Sequence, residues 1–268
     1  MALPLGAVKA TVARFAWEGA RGRCSSALPA LREGLTIRPL MRWPFTPHGT
    51  PEIVILGLCF GGAAALGICV VGGVLGGVLA LAGLGLLGFV FNFFRDPERK
   101  AEGGPEALIS PADGTVTDVL ELPAEPFVGE PCLRVGIFLS VFDVHVNRTP
   151  LAGTVQHLAH RPGAFLDARD PACSDRNEAM DLGLVVNFPS GQRRVLVRQI
   201  AGAIARRIIC PGPVGRVLRQ GERYGMIKFG SRTEVFVPRS LVAEVLVKPG
   251  DKVQGGRHVL ARLKECPA

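Results

Sequence analysis

The chain has 268 residues, with 31 Lys plus Arg against 23 Asp plus Glu, a net charge of +8 and 48% apolar residues. That apolar share excludes a disordered, charge-rich tail protein, and the length suits one large domain or two modest ones. Aromatics are only 6% with a single Tyr, which argues against a nucleic-acid binder built on base stacking.

Residues 1–40 are rich in Ala, Leu and Arg, including Arg14, Arg21, Arg23, Arg32 and Arg38, and show no clear period. They predict an N-terminal extension without packed structure, resembling an Arg-rich, acid-poor targeting segment, with Met41 as an alternative start. The first long apolar run begins only at Ile53, which does not fit a secretory signal peptide.

Residues 41–94 predict a membrane region. Between 53 and 94 lie 42 residues without a charge, 30 of them apolar. One bilayer pass takes about 20 residues, so the run predicts a hairpin with arms at 53–71 and 74–91, broken at Gly72-Gly73 or Gly76-Gly77. Gly57/Gly61 and Gly73/Gly77 are small-xxx-small pairs that would let the arms approach. Cations flank both ends, Arg42 before and Arg95, Arg99 and Lys100 after, which points both ends to the cytoplasm. A shallow re-entrant anchor is the alternative. Gly83-x-Gly85-x-x-Gly88 has dinucleotide-fingerprint spacing but lacks the preceding strand and the following acid, and reads as membrane-helix glycine.

From Arg95 onward, short Val/Ile-rich runs recur between Gly, Pro and Asp turns, at 115–120, 133–139, 182–188, 195–200, 225–229, 234–237, 243–247 and 259–263. Helices are expected only near 174–181 and 201–207, without a βαβ rhythm. The expected fold is α+β, mostly β: a flattened, barrel-like domain over 95–268 with a few helices, preceded by a membrane-anchoring helical hairpin. Segments 110–119 and 247–261 resemble pieces of the biotinyl/lipoyl carrier barrel. No acceptor-lysine hairpin accompanies them, which leaves a membrane-anchored barrel adaptor as a non-enzyme reading. The seven cysteines, at 24, 59, 69, 132, 173, 210 and 266, form no C-x-x-C and are odd in number. They predict neither a zinc site nor a disulfide framework, and no metal is expected.

The sharpest chemical feature is Phe229-Gly230-Ser231-Arg232-Thr233-Glu234-Val235. A Gly before a Ser admits backbone angles closed to other residues, and the pair lies outside any G-x-S-x-G elbow. Upstream, SVFDVHVNR carries His145 and SPADG carries Asp113. Together Asp113, His145 and Ser231 supply an orienting acid, a base and an attacking hydroxyl. A serine hydrolase with an intact chain would use the same three.

The ordered set NFFRDPER, SPADG, SVFDVHVNR, VRQIAGAIARRI and GERYGMIKFGSRTEVFVP resembles the phosphatidylserine decarboxylase family, in its short form with two hydrophobic segments. The likeness covers residues 41–264. It weakens over 162–178, where the family more often carries Asn at the position of Asp167 and a Lys-Ala-Ser run at 171–174. The resemblance implies that Ser231 attacks the Gly230 carbonyl, His145 takes the hydroxyl proton, and Asp113 orients the imidazole. The chain then opens between 230 and 231, and the pieces 1–230 and 231–268 stay together. Residue 231 becomes a pyruvoyl group, the only cofactor implied, which forms a Schiff base with the serine amine of the lipid. His145 returns a proton after CO2 leaves, giving phosphatidylethanolamine as a step of phospholipid biosynthesis. Arg148 is a candidate for the lipid phosphate, with a salt-bridge role as the alternative. Another serine-headed phospholipid stays open as substrate. The implied setting is the cell membrane, catalytic domain on the cytoplasmic side, with phospholipid and membrane as partners and no nucleic acid.

Overall fold

A computed structural model describes residues 44–203, 207–210, 212–228 and 230–267. The extension expected over 1–40 lies outside them. Two apolar helices come first. α1 (Thr50–Leu66) runs on through a π-helical segment, Gly67–Val71, and α2 (Gly73–Phe93) returns antiparallel to it. Gly72 and Gly73 turn the chain at φ +62° and +57°, where a Cβ is unfavourable, so the break falls at this pair. Pro47–Val71 and Gly73–Phe93 are each long and apolar enough to cross a membrane. The 21 residues of α2 rise about 31 Å, close to the hydrocarbon thickness.

The two arms meet through other glycines than the expected pairs. A Cβ on Gly76 would stand 2.3 Å from the Gly67 carbonyl oxygen, and one on Gly83 would stand 2.7 Å from that of Phe60. Gly61, Gly73 and Gly77 have nothing within 4 Å, and Gly57 reaches only Leu87. In an antiparallel pair the facing residues are those equidistant from the turn, and the expected pairs fall on outward faces. At the base, Thr46 N–H donates to the Phe94 carbonyl (2.9 Å) and Asp96 N–H to that of Pro44 (2.8 Å), so both hairpin ends lie side by side.

The body is built of strands. In chain order they are β1 (Ala107–Ile109), β2 (Gly114–Leu122), β3 (Cys132–Leu139), β4 (Val146–Arg148) and β5 (Gly153–Arg161). After a one-turn helix, α3 (Cys173–Arg176), come β6 (Ala179–Phe188), β7 (Gly191–Ala201), β8 (Arg207–Ile209), β9 (Val217–Leu218) and β10 (Arg223–Lys228). The last are β11 (Ser231–Pro238), β12 (Val242–Val245), β13 (Lys252–Val253) and β14 (Val259–Leu263). Eight form one curled antiparallel sheet in the order β13-β2-β3-β11-β7-β6-β5-β9, a half-barrel. Two three-stranded sheets, β1-β14-β12 and β4-β10-β8, complete the body.

Alternation explains the core. Val135 and Ile137, Leu182 and Leu184, Val195 and Val197, and Val235 and Val237 lie two apart on neighbouring strands and share one buried cluster. The hairpin base joins the body through Ile53, Val90, Phe93 and Phe94, which pack on Met226 of β10. Lys228 of β10 also ion-pairs with Glu52 of α1.

Each of the eight expected runs overlaps a strand, the one at 243–247 outlasting β12 by two residues. The short β1, β4, β8, β9 and β13, and the half-exposed β5, carry too little alternation to be read. The expected helix at 174–181 is one turn only, because Ala179 to Asp181 already pair with β7. The expected helix at 201–207 is also corrected at its described ends. Ala201 closes β7 opposite Ser231, and Arg207 opens β8. The two carrier-like segments are neighbours: Val116 N–H donates to Asp251 carbonyl (2.9 Å) and Ser110 N–H to that of His258 (2.8 Å).

Candidate active site

Ser231 is the first residue of β11, a central strand. It is flanked by Leu139 of β3 and Ala201 of β7 and is fully buried. Its Oγ has no hydrogen-bond partner. A buried hydroxyl without a partner is costly to stability. Gly230, just before it, has φ +59°, a left-handed conformation that favours glycine. That conformation turns the chain sharply into β11.

His145 enters from the turn between β3 and β4 and is fully buried. The Gly230 N–H donates to its Nε2 at 3.3 Å. Nε2 therefore accepts, and the proton of the neutral ring sits on Nδ1, 2.9 Å from the Asp143 carbonyl. The Phe93 ring lies 4.4 Å away, centroid to centroid. Burial pushes the imidazole down to about 4, outweighing the Asp143 carbonyl and the charges of Asp143 and Asp113, which push it up. The side chain is a neutral base with its lone pair at the Gly230 N–H, one peptide before the 230–231 bond.

The other two expected residues sit differently. Asp113 is clamped by Arg99, which ion-pairs with one oxygen and donates to Oδ2 through Nη2 at 2.7 Å. The Gly255 N–H donates to Oδ1 at 2.8 Å. The atom that orients the imidazole is the Asp143 carbonyl oxygen, and Asp113 reaches His145 only through its charge. Arg148 is buried and donates to Asp96 Oδ1 (3.0 Å) and the Pro97 carbonyl (2.8 Å). It fills the salt-bridge role, because burial of its guanidinium demands a carboxylate partner.

A cleft of about 340 Å³ opens at Gly230. Its wall is mostly apolar, with Phe138, Val141, Phe142 and Ala168, and carries Asp167 and Arg169, paired with each other. The Asp167 carboxyl is held near 2 by the Arg169 hydrogen bonds. Gly202 borders the Gly230–Ser231 peptide. A Cβ there would stand 2.2 Å from the Gly230 carbonyl oxygen. Asn177 joins the 162–178 loop to this corner, donating to the carbonyls of Leu166 (2.9 Å) and Ala201 (2.8 Å).

Residues 86–261 match the phosphatidylserine decarboxylase family. The chain belongs to this family. It is 49% identical over 185 residues to a phosphatidylserine decarboxylase proenzyme of Symbiobacterium thermophilum, covering 69% of this chain and 83% of the relative. Proenzymes of the same name from Oleidesulfovibrio alaskensis and Rhodopirellula baltica are 44% and 40% identical over 223 residues. Each alignment covers 83% of this chain, with 96% and 89% of the relatives.

The family match contains every site residue expected from sequence: Asp113, His145, Arg148, Gly230 and Ser231. For a phosphatidylserine decarboxylase family member, the residues missed are the more telling. Phe142 and Gly202 sit inside motifs that carried the resemblance, yet neither residue type signals a reacting group. Asp143 acts through its backbone carbonyl, which leaves no side-chain signal to read.

Proposed function

We propose that the protein decarboxylates phosphatidylserine to phosphatidylethanolamine through a pyruvoyl group made from its own Ser231. One observation carries this reading: a buried, unpartnered Ser231 hydroxyl follows a left-handed Gly230 whose N–H meets a neutral His145 Nε2. Ser231 Oγ attacks the Gly230 carbonyl carbon while Nε2 of His145 takes its proton. The C–N bond breaks, the serine nitrogen takes up a proton, and an ester links the two residues. Loss of the Ser231 Cα proton then expels the Gly230 carboxylate and leaves dehydroalanine at 231. Tautomerisation, addition of water and loss of ammonia give the pyruvoyl end. Asp113 favours the imidazolium through its charge.

The fit to such a group is good: a buried strand end holds position 231, and a mostly apolar cleft opens beside it. When formed, the pyruvoyl carbonyl supplies the electron sink for CO2 loss. The residues do the rest. The apolar wall formed by Phe138, Val141 and Ala168 disfavours the substrate carboxylate relative to neutral CO2. His145 Nε2 carries the proton returned to the carbon that lost CO2. The hairpin keeps the site beside its two-chain substrate. The flanking cations support a cytoplasmic face for the catalytic domain, by the positive-inside bias.

Intact mass spectrometry of membrane-purified protein tests the reading. Two chains, 1–230 and a pyruvoyl-ended 231–268, are expected, with Ser231→Ala giving one chain. An uncut wild type would sink it, and leave the serine hydrolase or adaptor readings standing.

A further inference from the structure

We infer that Phe142 is a membrane-inserting lip, marking the doorway through which the lipid head group passes from the bilayer surface into the cleft beside Gly230. Phe142 is the most exposed phenylalanine among the described residues, at 66%. It does not sit on a loose loop. Ser140 N–H donates to Asp143 Oδ2 (2.8 Å) and Asp143 N–H to the Ser140 carbonyl (2.9 Å), closing a tight turn. The same turn points His145 inward, through the Asp143 carbonyl. A rigid turn thus presents one ring to the base side of the site and another to the outside.

The outward ring is fixed to the membrane hairpin. Arg95 donates to the Phe142 carbonyl (2.8 Å) and to that of Asn92 (2.6 Å), tying the turn to the end of α2. The ring packs edge-on against Phe89, centroids 6.2 Å apart. Phe89 lies four residues before the end of α2, about 6 Å along the axis. With α2 in the bilayer, the Phe142 ring stands at the boundary between acyl chains and head groups, a level that aromatic rings favour. It also lines the cleft, together with Phe138, Val141 and Gly230. One residue therefore packs on the anchor and borders the cleft at once. The partner that covers its open face is the lipid interface, which continues the apolar surface of α2.

This inference rests on the hairpin being embedded, and its test reads insertion separately from chemistry. Phe142→Trp is compared with wild type on vesicles of phosphatidylethanolamine and phosphatidylglycerol with brominated acyl chains. Extra tryptophan emission that is quenched by these lipids is expected; extra emission that is not quenched overturns the inference, whatever the activity. In a second arm, Phe142→Ala is assayed on phosphatidylserine vesicles and on monomeric dihexanoyl phosphatidylserine. The vesicle rate is expected to fall roughly tenfold further than the monomer rate, as loss of a buried ring from an apolar phase predicts. Equal losses would mean that the ring only lines the cleft, and would also overturn it. A wild type that stays uncut sinks the decarboxylase reading instead and leaves the quenching result intact.

Discussion

A Cβ on Gly202 would stand 2.2 Å from the Gly230 carbonyl oxygen and 3.2 Å from the Ala168 Cβ. Backbone on one side and a methyl on the other leave no flexible neighbour to move, so the carbonyl itself would shift. A displacement of about 1 Å at a reacting atom costs around a hundredfold in rate. Gly202→Ala is therefore expected to fold with a lowered melting temperature, overpacking costing about 1–3 kcal/mol, and to cleave itself about a hundredfold more slowly in a gel time course. His145 gives a prediction in pH. Its folded value of about 4 lies below the ordinary 6.5, so the ring stays neutral down to about pH 4. Self-cleavage should hold its rate on acidification and fall as the pH drops through 4. The unfolded chain takes up this proton below 6.5. The stability it contributes is thus complete above 6.5 and lost as the pH falls towards 4, by about 3 kcal/mol. Urea titrations of the uncut Ser231→Ala protein at pH 7 and 4.5 should show that loss, and adding His145→Leu should remove it.

Among the elements, β4 and the segment after α2 depend on each other. Arg148 of β4 and Arg223 of β10 both bind Asp96, which is buried, and Arg148 is pushed down to about 10 by its own burial. Arg148→Met would leave Asp96 with Arg223 alone and should cost about 3 kcal/mol in denaturant unfolding. A residue held for lipid phosphate would instead raise KM with little loss of stability. β11 shows a second coupling. Arg232 donates to Glu234 Oε1 (2.9 Å) and ion-pairs with Asp118 of β2, and Ser174 donates to the same Glu234 oxygen (2.6 Å). The strand that carries Ser231 is thereby tied to the loop that walls the cleft. The long strands were legible because their apolar residues alternate, and the hairpin because its charge-free run is twice a bilayer pass. The facing glycines were not, since a small-xxx-small spacing recurs on several faces and only the turn position selects one.

For the molecule as a whole, the chemistry-bearing types were visible and their wiring was not. Ser231 follows Gly230, whose N–H meets His145 Nε2. Asp113, the acid that the resemblance implies for orienting His145, has its oxygens bound by Arg99 and the Gly255 N–H. Such competition between partners from positions far apart in sequence leaves no local pattern. The barrel character was legible in the two carrier-like segments, which pair through Gly114-Thr115 and Lys252-Val253 across most of the domain's length in sequence.

The central position of β11 has a consequence for how the protein comes to exist. Uncut, the chain folds in a unimolecular reaction, at a rate that does not depend on concentration. Scission at 230–231, as proposed, would leave the last 38 residues supplying an inner strand between β3 and β7, with β14 between β1 and β12. Reassembly after full unfolding would then require two separate chains to find each other, with the added cost of association, about 4–15 kcal/mol. The mature form would be reached once, by folding before cutting, and its lifetime in the membrane would be set by how slowly it unfolds rather than by its equilibrium stability.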